Sequence, residues 1–244
     1  MIYVTGGVHG DYDKYLLLLE KLKMQTEEKI MDSKSMENAK SLFVLGNILG
    51  EGFDGIKILR HMMYRSDIFP ILGRHEYFAK TIFPSFVDAT TIEECTEMLN
   101  AGDLDMFKTW LSEGGTQTIV SFLGLSKDGK QSVIDFLEDM PNYDEFEVKG
   151  KKFVLVGAGI DNFEIEKELD DYEDEDFVMT PADYTQVYFK DKFLMSAGAP
   201  TYKIHDSLRG KVFAKNKHVM LNVGMNDGER MAVIGLDALK IYYI

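Results

Sequence analysis

Cysteine occurs once in the 244 residues, at Cys95. An internal disulfide and a cysteine-based zinc cluster are both excluded by that scarcity, which is compatible with a reducing compartment. Basic residues are the minority: 27 Lys and Arg stand against 41 Asp and Glu, for a formal net charge of −14. A field of that sign disfavours general binding to nucleic acid or to an anionic membrane surface. No apolar run approaches the ~18 residues of a membrane-spanning helix. The amino terminus carries no basic stretch followed by a signal-peptide core, so cytoplasm is the expected location. Histidine is also scarce, at 5 residues. Little material is left for a zinc site built on imidazoles.

Apolar residues are 45% of the chain, with 16 Phe and 12 Tyr, so a full core is available. The first half alternates short apolar runs with amphipathic ones. Residues 1–6, 41–46 and 67–73 read as strands, and 12–23, 53–63 and 75–80 as helices. A glycine-containing loop follows each of these strands, the place where open α/β sheets put their sites. After Pro84 the pattern turns helical, over 91–100, 104–112, 117–125 and 130–140. Strands return at 143–148, 152–156, 193–196, 218–223, 230–235 and 240–243. Asn226-Asp227-Gly228-Glu229 reads as a hairpin turn between two of them. Asp170 to Asp176 reads as a solvated acidic loop.

Several motif classes are missing. No Gly-Lys-Ser/Thr follows Gly73-Arg74-His75, so there is no P-loop. Gly6-Gly7-Val8-His9-Gly10 is not a dinucleotide fingerprint, no serine elbow is present, and Cys95 has no activating neighbours in sequence. His61 and His205 fall outside any cluster, and His218 reads as structural. The 14 methionines read as core filler or pocket lining.

What the chain does carry is an ordered series of loop blocks. These are Gly6-Gly7-Val8-His9-Gly10, Gly46-Asn47-Ile48-Leu49-Gly50-Glu51-Gly52, Gly73-Arg74-His75-Glu76, Val156-Gly157-Ala158-Gly159-Ile160 and Ala197-Gly198-Ala199-Pro200-Thr201. Trp110, Gly114-Gly115 and Thr118 lie between the third and fourth. In order and spacing the series resembles the calcineurin-like metallophosphoesterases, and specifically their bacterial serine/threonine protein phosphatase-like branch. The resemblance covers nearly the whole chain. It implies an α/β fold, a four-layer αββα sandwich with two facing mixed sheets. It also implies one domain over residues 1–244, with a helical cap inserted at 85–140.

Family members hold two divalent metals, such as Mn, Fe or Zn, about 3.5–4 Å apart. Hard and borderline cations need carboxylates and neutral imidazoles at the loops. At the corresponding positions this chain has Gly7, His9, Asn47, Arg74, Gly157 and Gly198. Only His9 matches the family. Asn47 offers an amide oxygen without charge, and Arg74 offers donors and a permanent positive charge. The family's carboxylate partner of His75 is replaced by Gly50, and a phosphate-binding arginine by Glu51. A further family arginine falls near Pro181, after Met179.

No metal cofactor is therefore expected, and His75 is the vestige of a catalytic residue. The expected function is that of a catalytically degenerate phosphatase-like protein that binds a protein or small-molecule ligand. The expected cleft is formed by His9, Asn47, Glu51, Arg74 and His75. Two alternatives stand beside it: a phosphoester hydrolase of residual or altered activity, and an engineered inactive or redesigned scaffold. Arg74 is expected to pair with Glu51 or Glu76, or to face solvent. The glycines at 7, 157 and 198 would either widen the cleft or be inert.

Overall fold

Alternation along the strands assigns successive side chains to opposite faces of each sheet. The computed structural model describes residues 1–26 and 40–244. Its first sheet has the order β10 (Lys240–Tyr243), β9 (Ala232–Gly235), β1 (Ile2–Gly6), β2 (Ser41–Leu45), β3 (Ile68–Ile71). β1, β2 and β3 are parallel, while β9 and β10 run antiparallel. The second sheet has the order β4 (Tyr143–Val148), β5 (Lys151–Val156), β6 (Lys192–Ser196), β8 (His218–Met220), β7 (Phe213–Lys215). There β5, β6 and β8 are parallel and the edge strands antiparallel. Both sheets are mixed, as the family resemblance implies.

Val4, Phe43, Leu45 and Ile234 of the first sheet meet Phe153, Leu155, Met195 and Leu221 in the core between the sheets. Their alternate neighbours Tyr3, Leu42, Val44 and Val233 face outward onto helices. Those helices are α1 (Tyr12–Lys21), α2 (Gly55–Met63) and α3 (Arg74–Ile82). α1 is capped by Asp11, whose side chain accepts from the Lys14 amide. α2 buries Ile56, Ile58, Leu59 and Met62.

The segment between α3 and β4 folds into α4 (Ile92–Met98), α5 (Ala101–Ser112), α6 (Thr116–Leu123) and α7 (Lys127–Glu138). α4 begins with a capping box between Thr91 and Glu94. α5 and α7 pack on α3, and α6 and α7 on α2. Trp110, Phe122 and Leu137 enter the same core as Ile56 and Phe78. Phe83 and Phe122 stack with centroids 3.7 Å apart.

The outer face of the second sheet is covered less regularly than that of the first. Its cover contains one short helix, α8 (Asp174–Val178), with irregular chain on either side. Phe177, Val178 and Tyr188 from this segment pack with Val154, Val156 and Leu194. Residues 161–189 are too rich in acidic residues to form a long amphipathic helix. The acidic stretch is also more than a solvated loop. Asp174 pairs with Lys80 at 2.7 Å, Glu175 accepts from Tyr77, and Asp170 accepts from Tyr143. Asp176 accepts from the Glu173 amide at 3.0 Å at the start of α8.

The expected hairpin at Asn226 is absent. β8 pairs with β6 and β7 in one sheet, whereas β9 pairs with β1 and β10 in the other. The turn instead carries the chain between sheets, with Gly224 and Gly228 in left-handed conformations at φ 94° and 87°. Asn222 lies beyond the end of β8, and its side-chain amide donates to Gly198 O at 3.0 Å.

Candidate ligand cleft

Loops from both sheets converge on a cavity of about 510 Å³ that includes His9, Asn47, Glu51, Arg74 and His75 in its lining. Every side chain of the expected cleft thus meets there. The first loop follows β1 and hydrogen-bonds along the second, from His9 N to Asn47 O at 2.7 Å and from Gly10 N to Ile48 O at 2.8 Å. His9 and Asn47 both adopt left-handed backbone conformations, at φ 47° and 48°. Glu76 braces the second loop from beneath, accepting from the Asn47 and Leu49 amides at 2.7 Å each. It is fully buried, and burial raises its pKa to about 7 despite those amide donors.

The glycines do not widen the cleft. A Cβ on Gly157 would lie 2.2 Å from Leu72 O and 3.0 Å from Gly73 Cα. A Cβ on Gly7 would lie 2.5 Å from Asn47 Cβ and 2.6 Å from Asn47 O. At Gly198 the nearest atom is Ala158 Cα, at 2.9 Å. Backbone from the neighbouring loop occupies the space into which a side chain would grow. The third loop rests on the fourth, the first on the second, and the fifth on the fourth.

Arg74 opens α3, and its guanidinium forms a fork with Glu113 at the end of α5. Nε lies 2.7 Å from Oε2 and Nη2 2.6 Å from Oε1. Neither Glu51 nor Glu76 is its partner: Glu76 is turned under the second loop by its amide bonds, and Glu113 reaches the arginine from the end of α5. Glu113 stands immediately before the Gly114-Gly115 pair, in a block that its sequence marks out, yet only the fold brings it to Arg74.

His75 sits in the first turn of α3 and accepts at Nδ1 from the Trp110 indole at 3.0 Å. The indole thus bonds the imidazole, while Gly50 leaves open the space beside it; a Cβ there would lie 3.6 Å from His75 Nε2 and 3.7 Å from His9 Nδ1. His9 Nδ1 lies 2.8 Å from the Asn226 side-chain amide, which donates to it. Burial, followed by the charges of His75 and Lys14, lowers the His9 pKa to about 3. Burial also dominates at His75, which falls to about 4; Glu113 raises it and Arg74 lowers it further. Both rings are therefore neutral at pH 7. Asn226 is hidden in what reads locally as a turn, and no periodicity marks it as a neighbour of His9.

Among the described residues, no three His, Cys, Asp or Glu side chains come together as a group able to hold a metal ion. His61, His205 and His218 lie outside the cavity lining. His218 is buried, hydrogen-bonded to Ser196 Oγ at 2.7 Å.

No protein-family model matches the chain. Over 111 residues, 45% of its length, the chain is 27% identical to a symmetrical bis(5′-nucleosyl)-tetraphosphatase of Wigglesworthia glossinidia brevipalpis; the match takes in 36% of that relative. The same proportions hold for the corresponding protein of Psychromonas ingrahamii, at 27% identity over 110 residues, 45% of the chain and 36% of the relative. The chain thus covers little more than a third of the length of these curated relatives. Among solved structures, one described as a candidate diadenosine tetraphosphatase superposes with a TM-score of 0.61 at 13% identity, covering 100% of this chain and 92% of that one. A metallophosphoesterase from Sphaerobacter thermophilus gives 0.51 at 12% identity, covering 99% and 86%. The chain shares its fold with these solved structures. Symmetrical tetraphosphatases share sequence likeness with part of it.

Proposed function

We propose that this chain uses a metallophosphoesterase fold to bind a ligand and does not hydrolyse phosphoesters through a pair of metal ions. The observation that carries this reading is the close approach of backbone at Gly7 and Gly157. A side chain reaching a metal from either position would require its loop to move. His9 and Asn47 remain as donors, one neutral imidazole and one uncharged amide. They do not offset the mutual repulsion of two dications, and the Arg74 guanidinium adds a positive charge to the same cavity. The residues present do not fit the family's metal pair, so no reaction step is derived through it.

The phosphate side of the reaction is equally unsupported. Phosphoryl transfer depends on neutralising charge on the transferring group. Here Arg74 is held by Glu113, and Glu51 adds a carboxylate to the lining. The mutual fit of the loops also favours a chain adapted throughout over a scaffold with glycines substituted into otherwise unchanged loops. Such substitutions would leave room for a Cβ.

The test is a metal and activity assay on the purified chain. After incubation with manganese and desalting, metal content is measured by mass spectrometry, and p-nitrophenyl phosphate and diadenosine tetraphosphate are offered as substrates. Less than one metal per chain and no turnover above background are expected. Two bound manganese ions with turnover near ~1 s⁻¹ or faster would overturn the reading.

A second reading, hydrolysis by an altered mechanism, draws on the convergence of His9 and His75 around Gly50. With pKa values lowered to about 3 and 4, both imidazoles stay unprotonated at pH 7, so such a mechanism would use them as hydrogen-bonding groups or weak bases and not as acids. If a substrate screen finds turnover, His9→Gln and His75→Gln decide the matter: unchanged rates in both would remove these residues from the reaction.

A further inference from the structure

Among the described residues, the two most exposed large hydrophobic side chains are Phe53, at 72%, and Ile165, at 60%. Single exposed apolar residues are ordinary, so it is the surroundings of these two that set them apart. Phe53 edges a groove of about 280 Å³ formed by the first turns of α2 and the end of α6, with Ile56 and Leu125 as further apolar lining. Lys57 and Arg60 complete its rim. Arg60 makes no hydrogen bond or ion pair among the described residues, and Lys57 lies over the Tyr12 ring at 3.7 Å without a carboxylate partner. One carboxylate, Asp54, shares the lining, and it precedes α2 without capping it. The groove is therefore apolar with an excess of positive charge.

Ile165 has the opposite setting. It lies in irregular chain over the second sheet, between Glu164 and Glu166, with Glu168 just beyond. All three glutamates are exposed, and none forms an ion pair among the described residues. No other exposed large hydrophobic among those residues has an acidic neighbour on both sides. Phe53 and Ile165 both stay open within one copy, so a copy does not fill its own groove. An apolar groove with a basic rim and an apolar side chain between two carboxylates match in charge as well as in hydrophobicity. At 0.15 M salt, repulsion between two chains of net charge −14 is screened beyond ~8 Å, so the charges at the contact decide.

We propose that the groove at Phe53 receives the Glu164-Ile165-Glu166 segment of a second copy of this chain. Ile165 enters beside Phe53 and Leu125, and the two glutamates pair with Arg60 and Lys57. The patches differ, so the contact is heterologous: each pair keeps one free groove and one free segment, and association runs head to tail unless the rotation closes a ring. Groove against groove would oppose cations, and segment against segment would oppose carboxylates. The contact is small, in the range of transient association. None of the groove residues lines the cleft, so the inference stands apart from the non-hydrolytic reading.

Sedimentation velocity on the whole chain in 0.15 M salt, from roughly 5 to 500 μM, tests it. The weight-average sedimentation coefficient should rise with concentration, with a Kd on the order of 0.1 mM. Arg60→Glu and Ile165→Asp, both at exposed positions, should each weaken self-association roughly tenfold or more, with melting curves that overlay the parent's. Mixed in equal amounts, the two variants should associate with each other and stop at a one-to-one pair. The first keeps its segment and the second its groove, while the remaining groove and segment are both impaired. A parent chain that sediments as a monomer up to ~500 μM overturns the proposal. So does self-association that survives either substitution, because the contact then lies elsewhere, and so does a mixture that stays monomeric.

Discussion

Gly157→Ala is the smallest perturbation that probes the closed loops. Its new methyl group would start 2.2 Å from Leu72 O, whereas real Cβ atoms essentially never come within 3.0 Å of a neighbour. The loops must therefore separate by at least roughly 0.8 Å. Loop three cannot yield freely, because Leu72 N is bonded to Pro141 O at 2.8 Å and Ile71 O accepts from Gly46 N at 2.9 Å. Overpacking of this kind costs about 1–3 kcal/mol, and the rigid backbone on both sides puts this site at the upper end. For a chain of this size, a loss of ~3 kcal/mol lowers Tm by about 6–12 °C. Circular dichroism melts would read that shift, with Gly102→Ala as the control. Gly102 lies near the start of α5, where the closest atom to an added Cβ is Asn100 Oδ1 at 3.5 Å. The control should be neutral or stabilising by up to ~1 kcal/mol. Gly157→His, which restores the family's residue type, should melt at least as low as Gly157→Ala and gain no manganese-dependent rise in Tm. A Gly157→Ala variant melting within ~1 °C of the parent would refute the reasoning, because the contact would then cost less than ~0.5 kcal/mol.

Burial lowers the pKa of His218 to about 4. The unfolded chain binds its proton near pH ~6.5, so this contribution to stability is full above pH 6.5 and lost as pH falls toward 4. Urea unfolding at pH 5 and 7.5 should show His218→Gln less sensitive to acid than the parent, by up to about 2 kcal/mol. Glu76, raised to about 7, works in the opposite sense: its contribution is present below pH 4.5 and lost as pH rises through 7. The Arg74–Glu113 fork is about one-third exposed, so a double-mutant cycle with Arg74→Ala and Glu113→Ala should return a coupling of no more than ~1 kcal/mol. Phe122→Ala removes the ring stacked on Phe83 and should cost ~3–5 kcal/mol in urea unfolding; a loss below ~1 kcal/mol would mean that α6 is not part of the main core.

The strands are legible in the sequence because both faces of the central ones are buried, which leaves short continuous apolar runs. Leu42, Phe43, Val44 and Leu45 alternate between the outer and inner cores, and so do Phe153, Val154, Leu155 and Val156. The loops are legible for another reason: their glycine blocks occur in a fixed order between those strands. Pairing is less accessible. The turn at Asn226 carries a local signal for reversal, but nothing local states that the following strand enters the other sheet. The bonds from Arg74 to Glu113 and from His9 to Asn226 span 39 and 217 residues, respectively. Neither has any expression in periodicity or spacing. The acidic stretch at 170–176 misleads similarly, since a run of carboxylates looks solvated until Lys80, Tyr77 and Tyr143 come within reach. The apolar character of Phe53 suggests a place inside α2, yet it precedes the helix and is largely exposed, its carbonyl accepting from Ser121.

The helices between α3 and β4 share their interior with α2 and α3. Lifting them as a lid would bring Trp110 and Phe122 into water together with the aromatic rings they cover. Such a motion approaches unfolding in its energy demand, so these helices do not serve the cavity as a lid. Ligand capture should follow simple second-order kinetics without a saturating conformational phase, and amides of these helices should exchange with solvent only when the whole chain opens.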